Sequence, residues 1–292
     1  MAQVAAARPT GERRRRSVVW RSAAARAGTV VLVLGVIWGL WELYRWVWVK
    51  TGWTHPFPAN DITMPHMHTI FKALGEPSRV QGPLLISVLL KSAWFTAKEA
   101  AIGFALGATV GFLLAVVLVH SRLLQRGFLP YIVASQTVPI LAVAPMVVVW
   151  LKAGWQSVAV IAAYLTFFPV TINTLRGLQS ADARAHELLR SYAANRWQVL
   201  WRLRVPASMP YLFSALKVSA TASVVGAIIG ELPSSIQDGL GGAILNFNQY
   251  YSLNPANLWA TNIVAAALGI VFFLAVVVAE KLVVRRAPEH VA

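Results

Sequence analysis

Six blocks of about twenty or more nearly uncharged residues, at 28–49, 93–119, 130–150, 156–175, 211–230 and 259–283, dominate this 292-residue chain. A helix rising 1.5 Å per residue needs roughly 20 apolar residues to cross a hydrocarbon layer about 30 Å thick, so each block has the length of one membrane span. Hydrophobic residues make up 57% of the chain and charged ones only 13%, in long runs and not in the short periodic stretches of a soluble core. Nothing in the blocks alternates as an outer-membrane barrel strand does, which leaves closed helices as the way to satisfy a backbone in lipid. The expected fold is all-α, a polytopic membrane protein with six transmembrane helices.

Topology follows from the basic residues, because positive charge in short flanking loops is retained on the cytoplasmic side. Nineteen of the 26 Lys and Arg fall before the first block (Arg8 to Arg26), after the second (Arg122, Arg126), around the fourth-to-fifth connection (Arg176 to Lys217) and after the sixth (Lys281, Arg285, Arg286). The other side holds Lys50, Lys72, Arg79, Lys91 and Lys152, with Arg45 and Lys98 inside or near span ends. Both termini are therefore expected in the cytoplasm, below a bacterial plasma membrane. The layout that results is a basic tail at 1–27, a first span at 28–49, an extracytoplasmic connection at 50–92, a core at 93–286 that includes a cytoplasmic segment at 176–210, and a short tail at 287–292. The Arg-rich start reads as a disordered, topology-setting tail that stays attached, since no small-residue cleavage pattern follows the long first span.

Several function classes are excluded early. The net charge of +15 sits where topology and anionic lipid head groups require it, so nucleic acid is not an expected partner. With no cysteine there is no disulfide, iron–sulfur cluster or thiol catalysis. His66 and His68 invite a metal reading, but residues two apart face different sides of a helix and no further His or Cys lies nearby, so no metal is expected. That piece of the outer connection, Met64 to Phe71, reads as a short amphipathic helix opened by Pro65 and capped by Asp61 or Thr63. No catalytic constellation is present; a stand-alone secondary transporter, which would need intramembrane coupling carboxylates and inverted repeats, stays as the less favoured alternative.

Within the core, Gly103, Gly107 and Gly111 repeat every four residues and leave one helix face open to a close neighbour. Pro139, Pro145 and Pro169 each remove a backbone hydrogen bond and are expected to bend or break the third and fourth spans. Polar side chains inside spans are costly and mark interior faces. Lys98, Glu99, Gln136, Thr137, Asn173 and Glu231 are the candidates for a translocation path.

The cytoplasmic segment begins with the helix-capping Asp182 and runs through Leu188, Leu189, Tyr192, Trp197, Leu200 and Leu203 with helical, amphipathic spacing, until Pro206 and Pro210 are expected to stop it. Its order resembles the signature of the permease subunits of binding-protein-dependent ABC importers: Glu-Ala-Ala, three residues, Gly, nine residues, Ile, one residue, Leu-Pro. Here the same register carries Glu187-Leu188-Leu189, then Ala193 at the Gly position, then Leu203, Val205 and Pro206. A small Ala permits a tight turn there, and is strained if the turn needs a positive φ. Ser135-Gln136-Thr137-Val138-Pro139, Ala144-Pro145, Phe168-Pro169 with Asn173-Thr174, and Gly230-Glu231 ahead of Gly239-Leu240-Gly241 look closest to the sulfonate, nitrate, taurine and pyrimidine-precursor group of these permeases.

That resemblance implies a type I importer permease. Two permease subunits, identical or not, would form the pathway, a cytoplasmic ABC ATPase dimer would bind ATP and Mg, and an extracytoplasmic binding protein would deliver a small solute. The best match is a thiamine-precursor pyrimidine, riboflavin or a similar heteroaromatic, with a sulfonate, taurine or nitrate as the alternative. This chain has no Gly-x-x-x-x-Gly-Lys-Ser/Thr phosphate loop, so it binds no cofactor itself and hydrolyses no ATP. A helix at 182–204 would dock into the ATPase, with Glu187 as a charged contact, Leu188, Leu189 and Tyr192 as apolar anchors, and Ala193, Arg196, Leu203 and Pro206 completing the coupling segment.

Overall fold

The computed structural model describes residues 10–52, 55, 58–79, 81–234 and 236–284, with side chains from Gly28 onward. Arg8, Arg285, Arg286 and the tail at 287–292 lie outside the described residues. Among the described residues there is no β-strand, only one isolated bridge between Pro77 and Leu84. The chain divides into two units on either side of the Ile70–Phe71 bond.

The first unit is built on helix α1, Thr10–Thr51, whose span-length apolar part is Gly28–Thr51. The backbone is thus helical through the arginine run that sequence reasoning reads as disordered, because Ala, Arg and Glu continue the helix with no Gly or Pro from Glu12 to Arg26. One polar face of α1 holds the connection that follows. Trp41 Nε1 donates to Pro65 O at 3.1 Å, and Arg45 donates to Met64 O and, at 2.7 Å, to Asp61 Oδ1. Glu42 accepts from His66 Nδ1 at 2.7 Å and from the Met67 backbone N–H at 3.3 Å. Glu42 therefore caps helix α2, Met67–Leu74, in place of the expected Asp61 or Thr63. Asp61 is taken by Arg45, and the Thr63 hydroxyl bonds Pro58 O and Asn60.

The second unit is a helical bundle whose central element is α6, Trp155–Gln179. On one side lies α3, Leu85–His120, and on the other α9, Val205–Ser234. The expected glycine stripe explains the closeness of α3: a Cβ on Gly103 would lie 2.4 Å from the Cβ of Ala162, and one on Gly107 would lie 2.5 Å from Ala163 O. Gly226 of α9 approaches the opposite side of Ala162, where a Cβ would be 2.8 Å from its Cα. Backbones this near exchange dispersion contacts that any larger side chain would prevent. Ala100, Val158, Ala162, Val224 and Ala227 form one buried cluster there, and Ala115, Leu118, Ile132, Leu175, Leu178 and Leu200 form another at the end near the 176–210 segment. The last span is α11, Pro255–Val283, which leaves apolar side chains such as Ile270 and Val271 exposed.

Two expected spans differ from the structure. The third is a pair, α4 (Arg122–Ser135) and α5 (Ile140–Leu151), bent by 98° at the break. Pro139 caps α5 without an N–H and disfavours the α conformation at Val138, so the helix cannot run through. Pro145 and Pro169 by contrast stay inside α5 and α6. The fifth is longer than expected, because Pro206 and Pro210 do not stop the chain. A short α8, Arg196–Val199, passes through a π-turn at Leu200–Arg204 directly into α9. The wider turn lets Val205 N–H bond Leu200 O, five residues back, and makes room for the ring of Pro206. With that pair taken as one, the described residues hold six segments long and apolar enough to cross a membrane.

Candidate coupling and translocation sites

The coupling segment is two short helices with a turn between them, not the single helix expected at 182–204. Asp182 Oδ1 accepts from Arg184 N–H at 3.1 Å and opens α7, Ala183–Ser191. At its end, Ala193 N–H bonds Arg190 O at 2.9 Å and Ala194 N–H bonds Leu189 O at 3.0 Å. These two bonds are a Schellman motif, which requires a left-handed residue at the position after the cap. Ala193 is that residue, with φ 53°. The turn explains why the family signature carries Gly at this register, and leaves Ala193 strained. Asn195 and Gln198 then bond each other's backbone N–H groups at 2.8 Å in a reciprocal capping box that starts α8. That N-x-x-Q signal was readable in the sequence and was hidden by the apolar periodicity around it.

What the segment offers a partner is largely unsatisfied. Leu188 is 57% and Tyr192 75% exposed, and Glu187 has no ion pair among the described residues. Leu189 and Leu203 are half-buried, while Arg196 and Pro206 are exposed.

The intramembrane candidates fall into three groups. Gln136 lines a cavity of about 260 Å³ at the α4–α5 break, together with Tyr164 and Phe168 of α6. Thr137 is beside it and turns its hydroxyl onto Ala134 O, while the Tyr164 hydroxyl donates to Ser135 O. Among the described residues, no charged side chain lines this cavity. Asn173 donates to Pro169 O of its own helix at 2.9 Å. Lys98 lies exposed with its ammonium 5.7 Å from the Trp94 ring centre, away from Glu99, which is buried next to Glu231.

Glu231 is fully buried and holds the N-terminus of helix α10, Leu240–Gln249. Its Oε2 accepts from Gly241 N–H at 2.5 Å, and its Oε1 accepts from the Thr96 hydroxyl at 2.6 Å. Thr96 in turn accepts from Leu240 N–H at 2.9 Å. Two of the four free N–H groups of α10 are thus satisfied by side chains from α9 and α3, since Gly239 has none to offer. A Cβ on Gly239 would sit 2.1 Å from Glu231 Oε1, so only Gly admits the carboxyl group. Sequence reasoning paired Glu231 with this glycine loop but did not find Thr96, 135 residues away.

A possible metal grouping also appears where none was expected. Glu42, His66 and His68 bring one donor atom each within 4.8 Å of one another, with Glu42 already committed to His66 and Met67. Beside it, Arg45 holds the Asp61 carboxyl below its ordinary value near 3.8 through their hydrogen bond, with burial opposing and the guanidinium charge adding to the effect.

Residues 107–287 match the family of binding-protein-dependent transport system inner membrane components, well over half of the chain. The chain belongs to that family. It is 32% identical to the formylaminopyrimidine transport permease protein of Halalkalibacterium halodurans, over 70% of this chain and 84% of that one. Identity to the riboflavin transport system permease protein of Chloroflexus aurantiacus is 35%, over 43% of this chain and 46% of that one. A permease protein of Bacillus subtilis for aliphatic sulfonates transport is 27% identical, over 82% of this chain and 80% of that one. The fold is shared with an amino acid ABC transporter crystallised with histidines, at TM-score 0.53 and 16% identity, over 69% of this chain and 95% of that one. The protein is therefore a multi-pass permease subunit of a binding-protein-dependent ABC importer in the bacterial inner membrane.

Proposed function

We propose that this permease imports a neutral nitrogen heteroaromatic solute of the pyrimidine or flavin class. A separate ATPase dimer drives it through Glu187, Leu188, Leu189 and Tyr192, and a second permease subunit completes the pathway. The observation that carries the substrate reading is the cavity at the α4–α5 break. It offers the Gln136 amide, the Tyr164 hydroxyl oxygen as an acceptor and the Phe168 ring, and among the described residues no cation. An amide and a hydroxyl match the edge of an uncharged heterocycle, and an aromatic face stacks on its ring. A sulfonate or nitrate would demand a basic partner in that space. The relatives named for formylaminopyrimidine and riboflavin transport favour the same class.

The ATPase reading is supported by the exposed, unpaired face of α7 and by the family match. Both termini are cytoplasmic in this reading, on the strength of the charge asymmetry. Membrane vesicles carrying the full importer test it through uptake of labelled aminopyrimidine, riboflavin and alkylsulfonate. The heteroaromatics are expected to enter with ATP, and Gln136→Ala to lower their uptake about tenfold, the loss of one hydrogen bond of about 1.4 kcal/mol. Sulfonate uptake with Gln136→Ala unaffected would refute the substrate reading. Normal transport by Glu187→Lys, with no nucleotide-binding subunit co-purifying with the tagged chain, would refute the coupling reading.

A further inference from the structure

Four arginines meet at the junction between the coupling segment and the ends of the spans. Two adjoining cavities of about 330 and 410 Å³ open there and share Val119, His186, Arg190 and Arg204. Arg196 and His120 line the first, and Arg122 the second. The four side chains come from different elements, α4, α7, α8 and the π-turn, so the tertiary fold assembles a cluster that no short sequence motif contains. Arg204 is aimed by a bond of its Nη1 to Val119 O near the C-terminus of α3. None of the four forms an ion pair among the described residues, and the single acid on either lining, Glu187, lies at the second cavity. Three guanidinium groups line each of the two adjoining hollows, Arg190 and Arg204 in common; they repel each other unless an anion sits among them, and their planar forks suit phosphate oxygens.

A second observation bears on where that anion comes from. Trp197 and Trp201 flank the cluster and are 62% and 57% exposed, with the Trp197 ring 5.8 Å from that of His120, which lines the cavity. Exposed Trp next to Arg at the end of a span is the pattern of the membrane–water interface, at the depth of the lipid phosphates. Basic hollows between spans on the cytoplasmic side are suited to anionic head groups. At about 30 Å³ per water, the smaller cavity has room for roughly ten waters, which is ample for a glycerophosphate group.

We propose that Arg122, Arg190, Arg196 and Arg204 form a phosphate-binding site for the head group of an anionic lipid of the cytoplasmic leaflet. The lipid would hold the base of the coupling segment against the ends of α3 and α4. The site rests on the reading that places this end of the bundle in the cytoplasm, but its binding is measured without ATPase or transport, so the two can fail separately.

The test is native mass spectrometry of the full-length chain in detergent, titrated with dioctanoyl phosphatidylglycerol, dioctanoyl phosphatidylcholine and inorganic phosphate. Saturable binding of one phosphatidylglycerol, at least tenfold tighter than phosphatidylcholine, is expected. Neutralising Arg122 and Arg204 together should weaken it about thirtyfold, about 2 kcal/mol at the usual surface value for two charges. Arg122→Gln alone should weaken it about fivefold, and its exposed side chain forms no hydrogen bond or ion pair among the described residues. Displacement of phosphatidylglycerol by millimolar phosphate would keep the site and make a free phosphate its ligand. Equal binding of the two lipids, or phosphatidylglycerol binding unchanged in both variants, would overturn the proposal. So would loss of ATPase co-purification in the variants without any phosphate binding by the parent, which would make the arginines a protein contact.

Discussion

Replacing Ala193 with Gly should strengthen the turn on which the coupling segment depends. Ala193 has φ 53°, where a Cβ crowds the following carbonyl at a cost of about 1–2 kcal/mol. Glycine removes that cost but loses about 0.4–1 kcal/mol through the greater freedom of the unfolded chain. The net gain is about 0.7 kcal/mol, a factor of about three in the local opening equilibrium. Both Schellman bonds, Ala193 N–H to Arg190 O and Ala194 N–H to Leu189 O, break when this turn opens. Hydrogen exchange of a peptide covering 189–196 should therefore slow about threefold in Ala193→Gly. In Ala193→Val it should speed up, because a β-branched side chain tolerates the left-handed region less well than Ala. Equal exchange in all three proteins would mean that the residue is not left-handed and that α7 does not end in this motif. Under the proposed docking of α7 on an ATPase, the effect reaches function because the exposed Tyr192 adjoins the bend and the exposed Leu188 lies five residues before it.

Three further outcomes follow from the packing and the polar contacts. Gly107→Val should lower the melting temperature of the detergent-solubilised protein, since its Cβ would meet Ala163 O at 2.5 Å and overpacking costs about 1–3 kcal/mol; an unchanged melt would refute the close α3–α6 contact. Gly239→Ala should destabilise by a similar amount through its clash with Glu231, and much less in a Glu231→Ala background, so a double-mutant cycle on melting should show coupling of at least about 0.5 kcal/mol. Purely additive changes would place the glycine elsewhere. The Arg45–Asp61 pair lowers the Asp61 pKa, so its contribution is present above the ordinary value near 3.8 and is lost as pH falls through the lowered one. Asp61 is 83% exposed, so that contribution is only about 0.2–1 kcal/mol. Proteolysis of the 58–66 connection should be indifferent to pH between 7 and 5 and quicken below about 4, while Asp61→Asn should cleave at the fast rate throughout.

Much of this protein was determined by its sequence alone. Apolar length required spans, because a backbone in lipid has no other partner than itself, and this property is local to each block. The Gly103, Gly107 and Gly111 stripe announced a close helix neighbour by its spacing. The register from Glu187 to Pro206 announced the family for the same reason, since a signature is a linear pattern.

What tertiary structure decided was the shape of each interruption and the partners of the polar groups. Periodicity around Ala193 reads as one helix, and only the backbone shows the left-handed bend, because φ is chosen by the bonds that Leu189 and Arg190 make across the turn. Pro206 reads as a stop, yet a π-turn absorbs it, since α9 gains more by packing on α6 than it loses in one widened turn. Glu231, Thr96 and Gly239 come together across 135 and more residues to cap α10, and four arginines of separate elements converge on two adjoining cavities. Those contacts are non-local, and a polar side chain in a span carries no sign of which distant N–H or anion it will meet.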